Sequence, residues 1–108
     1  MNVFDDHIER FNAAVRSGDF DAMADGFADD AVMEFQGVPV GPFHGREEIR
    51  AAYRAQPPDD ELRVLDRRDD DRRVVAGYAW LKEPDRRAGE IRLEHDGQAI
   101  RHLVVTFE

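Results

Sequence analysis

Between Val3 and Ser17 the large apolar residues fall at Phe4, Ile8, Phe11 and Val15, steps of four, three and four that gather on one side of a helix. Asn2 can cap its start, Asp5 and Asp6 sit in the first turn where the helix dipole favours anions, and Gly18 can take the left-handed closing conformation. Asp19 is placed to cap a short second helix in which Phe20, Met23 and Phe27 repeat the facing pattern. The period then changes to two over 31–35, which predicts a strand with Met33 and Phe35 on one face, bounded by Asp29-Asp30 and Gly37. Gly37, Pro39, Gly41, Pro42 and Gly45 punctuate an irregular, partly buried connection that carries Val38, Val40 and Phe43. A third helix is predicted from Arg46, with Ile49, Ala52 and Tyr53 facing inward and Pro57-Pro58 stopping it.

From Glu61 onward every element reads as extended. Leu62, Val64 and Asp66 alternate with Arg63, Leu65 and Arg67; the charged block 67–73 predicts a hairpin tip; and 74–81 resumes as a long strand. Turns over 83–87 and at Asp96-Gly97 complete a four-stranded antiparallel meander. Early helices followed by a continuous meander give an α+β fold with the helices on one side of a sheet. The last strand, 99–107, places Ile100, His102, Val104 and Thr106 on one face and Arg101, Leu103, Val105 and Phe107 on the other. Both faces are largely apolar, and the helices can cover only one. The expectation is therefore a homodimer joined through the outer face of the sheet, with Leu103, Val105 and Phe107 in the contact.

Composition narrows the chemistry. The chain has 108 residues, 36% of them charged, and a net charge of −9. That size suits one domain spanning 1–108, and the acidic balance, without a clustered basic face, excludes nucleic acid as a partner. With no cysteine there is no disulfide, thiolate metal site or Cys nucleophile. No apolar run approaches the ~20 residues that span a bilayer, and no targeting signal is evident, so a cytoplasmic location without membrane association is expected. The acidic clusters at 59–61 and 69–71 lack the spacing and central glycine of a calcium loop, and the histidines lack zinc-like spacing; neither metal nor cofactor is expected.

Residues 10–23, the segment Phe27-Ala28-Asp29-Asp30-Ala31-Val32, the helix start Gly45-Arg46-Glu47-Glu48-Ile49 and the stretch Gly97-Gln98-Ala99-Ile100-Arg101-His102 together resemble the nuclear-transport-factor-2-like superfamily, specifically its SnoaL-like branch. The resemblance covers nearly the whole chain. It implies a cone-shaped α+β roll in which three N-terminal helices pack on a strongly bent, mainly antiparallel sheet and leave a pocket open at one end.

The ketosteroid isomerases of that superfamily use a tyrosine on the first helix, a carboxylate base on the first strand and a protonated carboxyl on a later strand. By resemblance these positions fall at Phe11, Phe35 and near Gly89, so all three functional groups are missing. A phenyl ring neither donates to an enolate oxygen nor moves a proton. SnoaL-like cyclases carry a histidine two residues before a catalytic acid on the last strand; His102 matches the histidine, but the acid position holds Val104. The Asp–Arg–Asp set of the limonene-epoxide-hydrolase branch is not evident.

The face pattern and the resemblance turn His102 and Val104 toward the pocket, with His102 the candidate general acid or base. Phe11, Phe35, Tyr53, Tyr78 and Trp80 are candidate aromatic lining, and His44, in the Gly/Pro-rich connection, a candidate polar contact. His7, on the polar side of the first helix, and His95, beside the last turn, are expected to be solvated. Three functions remain open. One is a domain that binds a small apolar molecule in an aromatic pocket without the usual catalytic carboxylates. Another is an isomerase, cyclase or dehydratase using His102. The third is a structural or interaction role through the sheet surface.

Overall fold

The computed structural model describes residues 2–108. Three helices, α1 (Val3–Ser17), α2 (Asp21–Ala24) and α3 (Arg46–Ala55), accompany six strands: β1 (Phe27–Gln36), β2 (Phe43–His44), β3 (Leu62–Asp70), β4 (Arg73–Trp80), β5 (Gly89–His95) and β6 (Ile100–Thr106). The strands form one curved sheet in the order β2-β1-β6-β5-β4-β3, open at both edges. The meander β3 to β6 is antiparallel, as the turn signals predict, whereas β1 joins β6 in parallel.

Local chemistry explains the first helix. The Asn2 side chain accepts from the Asp5 amide at 2.9 Å, and Gly18, at φ 81°, donates to the Ala14 carbonyl at 2.7 Å. Its buried stripe is Phe4, His7, Phe11 and Ala14. This corrects the expectation for His7, which is 5% exposed rather than solvated. Ile8 and Val15 pack only half-buried at the margin of the core. Helix α2 is shorter than its sequence pattern predicts, and Phe27 begins β1 instead of extending the helix. Asp19 still accepts from the Asp21 amide at 3.0 Å, outside the first turn.

Two irregularities in the strands decide which residues face the helices. Along β6, Ile100 pairs with His95 but His102 pairs with Glu94, so Arg101 is an extra residue in that strand. A bulge of this kind reverses the alternation beyond it. Ile100 is buried in the core, Arg101 and His102 both turn outward, and Leu103, Val105 and Phe107 turn inward beneath the helices. The expectation that Leu103, Val105 and Phe107 form an outer dimer contact is thereby corrected. In β3 the register shifts between Val64 and Asp66, with Leu65 the extra residue. Arg67, not Asp66, then reaches α1, where its guanidinium pairs with Asp5 and lies 4.7 Å from the centre of the Phe4 ring.

Asn12 ties α1 to the start of β3. Its amide nitrogen donates to the Leu62 carbonyl at 3.0 Å, and its oxygen accepts from the Leu62 amide at 2.9 Å. Replacing Asn12 with Ala leaves both backbone groups partly buried without these partners. The expected cost is about 2 kcal/mol, read as a lowered urea midpoint with unchanged slope.

Candidate functional site

Between the helices and the inner face of the sheet lies a cavity of about 430 Å³. Helix α1 contributes His7 and Phe11, α3 contributes Ala52, Tyr53 and Ala55, and the sheet contributes Phe35, Tyr78, Trp80, Ile91, Leu103 and Val105. Val38 and Val40, on the Gly/Pro-rich connection, stand at its edge and are more than one-third exposed, with Phe43, Gln56, Pro58, Leu62 and Phe107 completing the wall. In a chain with 36% charged residues, none of these side chains is Asp, Glu, Lys or Arg.

Aromatic packing gives the wall its shape. Phe20 stacks behind Tyr53 at 5.3 Å between ring centres, Tyr78 meets Trp80 edge-on at 5.4 Å, and Phe35 lies 6.2 Å from Phe43 and 6.1 Å from Phe107. The Tyr78 hydroxyl donates to the Thr106 carbonyl at 2.9 Å, and burial with the nearby Glu108 charge pushes its pKa up to about 12. Burial likewise pushes the Tyr53 hydroxyl well above its ordinary range. Neither phenol ionises near neutral pH.

His7 is the one imidazole in the wall. Its ring meets Phe27 edge-on at 5.6 Å, and its Nδ1 is the one buried side-chain nitrogen or oxygen without a hydrogen-bond partner among the described residues. Burial lowers its pKa to about 4, with Asp6 raising it and Arg10 lowering it by smaller amounts. The ring is neutral at physiological pH. The sequence does carry a signal for it: Phe4, His7, Phe11 and Ala14 follow helical spacing as closely as the larger apolar residues do.

Of the residues singled out from sequence, Phe11, Phe35, Tyr53, Tyr78 and Trp80 line the cavity, and His102, Val104 and His44 do not. His102 lies on the outer face of the sheet, where Nε2 is 2.5 Å from Oε2 of Glu34 and Nδ1 is 4.0 Å from Glu94. Val104 shares that face, and the bulge at Arg101 is the reason both depart from the expected side. His44 is exposed on β2, its amide donating to Glu48 at 3.0 Å. His95 is half-buried, and its Nδ1 accepts from the Gly97 amide at 3.0 Å, a role in the turn. Gly89 has no room for a side chain, because a Cβ there would stand 1.9 Å from the Thr106 carbonyl oxygen.

The SnoaL-like domain family matches residues 8–106. The chain belongs to that family. No curated protein sequence matches this SnoaL-like domain. Among solved structures it is similar to an NTF-2 like protein of unknown function from Burkholderia xenovorans, with a TM-score of 0.73 and 19% identity over 98% of this chain and 83% of that one. It is also similar to a protein from Bacillus subtilis named as a candidate isomerase, with a TM-score of 0.71 and 17% identity over 100% and 90% of the two chains. A de novo designed protein with a curved β-sheet matches at a TM-score of 0.69 and 14% identity, covering 98% of this chain and 85% of the other. These likenesses establish the NTF2-like α+β fold of the SnoaL-like domain and, at 19% identity or less, the fold alone. Among the described residues, no helix is long and apolar enough to cross a membrane.

Proposed function

We propose that this SnoaL-like domain binds a small, flat, apolar molecule in the cavity between its helices and sheet. The observation that carries this reading is a cavity of about 430 Å³ walled by aromatic and aliphatic side chains with no charged group. Such a wall contributes dispersion and desolvation rather than proton transfer. By resemblance, the carboxyl positions of the superfamily's ketosteroid isomerases fall at Phe35 and near the sterically closed Gly89, and His7, with a pKa of about 4, is a weak base at neutral pH. The candidate isomerase from Bacillus subtilis shares the fold, but His102 does not reach the cavity to supply an acid or base here.

A thermal-shift screen of aromatic and polyketide-like compounds tests the reading. A ligand at a hundred times its Kd adds about 2.7 kcal/mol, which for a domain of this size raises Tm by about 10 °C or more. Val105→Trp, which fills the cavity from the sheet side, is expected to abolish that shift while the far-ultraviolet circular dichroism stays native. A shift unchanged in Val105→Trp would place the ligand elsewhere.

We further propose that self-association, the homodimer expected from the sequence, uses the outer face of the sheet, the face not covered by the chain's own helices. It presents the half-buried Val32 and Val75, with Val104 beneath them at 8% exposure, among the unlike charges of Arg73 with Glu94 and of Arg92 with Glu90. Light scattering at micromolar concentration is expected to give twice the 12.4 kDa chain mass and to fall toward one chain in Val104→Arg. A monomeric parent, or a dimer indifferent to that substitution, removes the assignment.

A further inference from the structure

We propose that His7 is the polar anchor of the cavity and that the ligand is an aromatic molecule bearing a hydroxyl group, which hydrogen-bonds the imidazole. The proposal rests on the reading of the cavity as a binding site and names the ligand class within it. Its ground is the position of His7: 5% exposed and in the cavity wall, with Nδ1 sealed and unpartnered, which leaves Nε2 as the ring nitrogen a ligand in the cavity can meet. Buried polar atoms are almost always satisfied, and an orphan costs stability. A ligand does not reach the sealed Nδ1, but at the cavity wall a hydroxyl can pair with Nε2.

The lining selects the ligand's polar group. A carboxylate or phosphate would enter a space with no Arg or Lys in its wall, and an ammonium would find no Asp or Glu. A neutral imidazole has one donor nitrogen and one acceptor nitrogen, and a hydroxyl, which both donates and accepts, satisfies whichever of them it meets. A ketone can only accept. With a pKa of about 4, His7 is protonated in roughly one molecule in a thousand at pH 7, so the ring serves in recognition and not as an ion. Among the other polar groups of the wall the Tyr78 hydroxyl is already committed to Thr106, while the Tyr53 hydroxyl, the Trp80 indole and the Gln56 amide share the lining with His7. Rings flanking the cavity, among them Phe11, Phe35 and Trp80, supply the flat apolar contact that orients the rest of the molecule.

The probes are 2-naphthol and 2-methylnaphthalene, which differ in a hydroxyl against a methyl of similar size, titrated by Trp80 fluorescence and calorimetry against the parent protein, His7→Phe and His7→Leu. The methyl probe is the more hydrophobic, so the informative quantity is the ratio of the two Kd values in each protein. Loss of one hydrogen bond is expected to move that ratio by about tenfold in favour of 2-methylnaphthalene in both variants, each checked for native circular dichroism. A ratio that stays the same in the variants, with both probes still bound, overturns the role of His7 and leaves the cavity reading standing. If neither probe binds the parent protein, the cavity reading falls and the His7 anchor falls with it. Two variants of different shape separate the loss of the hydrogen bond from a change in cavity volume, because only the former acts selectively on the hydroxyl probe.

Discussion

Between pH 7.5 and pH 5 the protein is expected to lose about 2 kcal/mol of stability through His7 alone. The cause is desolvation: the ring is buried, and its pKa falls from the unfolded value of 6.5 to about 4 in the folded state. The native protein therefore binds fewer protons than the unfolded chain throughout that window. His7 imposes no such penalty above pH 6.5, where both states are neutral, and stability is lost as the pH falls toward 4 while only the unfolded chain protonates. Below pH 4 the contribution levels off near 3 kcal/mol, since each pKa unit is worth about 1.4 kcal/mol. Carboxylates paired with arginine also titrate in acid, and protonation lowers the repulsion of a chain with a net charge of −9, so the parent curve alone is composite. The difference between the parent and His7→Phe isolates the imidazole. The variant is expected to be about 1 kcal/mol more stable at pH 7.5, because no orphan nitrogen remains, and the gap should widen to about 3 kcal/mol at pH 5. Urea denaturation at the two pH values measures it; a gap that does not grow on acidification means that His7 is hydrated in the native state.

A single methyl group at Gly89 is expected to be more damaging than most core truncations. The Cβ of Gly89→Ala would stand 1.9 Å from the Thr106 carbonyl oxygen and 2.8 Å from its carbon, so the neighbouring backbone must move. Thr106 cannot move independently. Its carbonyl accepts the Tyr78 hydroxyl at 2.9 Å, its side chain accepts the Glu90 amide at 2.9 Å, and the cavity residues Val105 and Phe107 flank it. The expected loss is about 3 kcal/mol, with weaker binding of any cavity ligand. Gly77→Ala, on the adjacent strand, is the control. There the closest atom, at 2.3 Å, is the flexible end of Arg87, and the expected cost is below about 1 kcal/mol. Equal losses in the two variants would mean that the β5–β6 contact is softer than its geometry implies. The comparison also bears on function, since Gly89 lies near where ketosteroid isomerases of the superfamily carry an acid. Installing Asp at this position would first have to displace β6.

The order of elements was legible because local rules govern it. The capped amphipathic first helix, the proline stop after Ala55 and the turns that divide the meander each depend on residues adjacent in the chain, and the family resemblance spans the same segments. The aromatic residues Phe11, Phe35, Tyr53, Tyr78 and Trp80 could be placed in a cavity wall for the same reason, because each sits on an element whose inward face is set by its own periodicity. Which side of β6 faces inward was different. One extra residue at Arg101 arises from how β6 is held between β1 and β5, and it carries His102 and Val104 outward while bringing Leu103, Val105 and Phe107 in. His7 belongs with the same group, since two overlapping stripes on α1 satisfy helical spacing and only packing against the sheet selects the one that buries an imidazole. The sequence by itself determined the main elements and their order, and its family resemblance implied a hollow without carboxylates at the isomerase positions. Tertiary structure alone decided which histidine lines that hollow, because strand register and helix rotation are set by contacts between residues far apart in the chain.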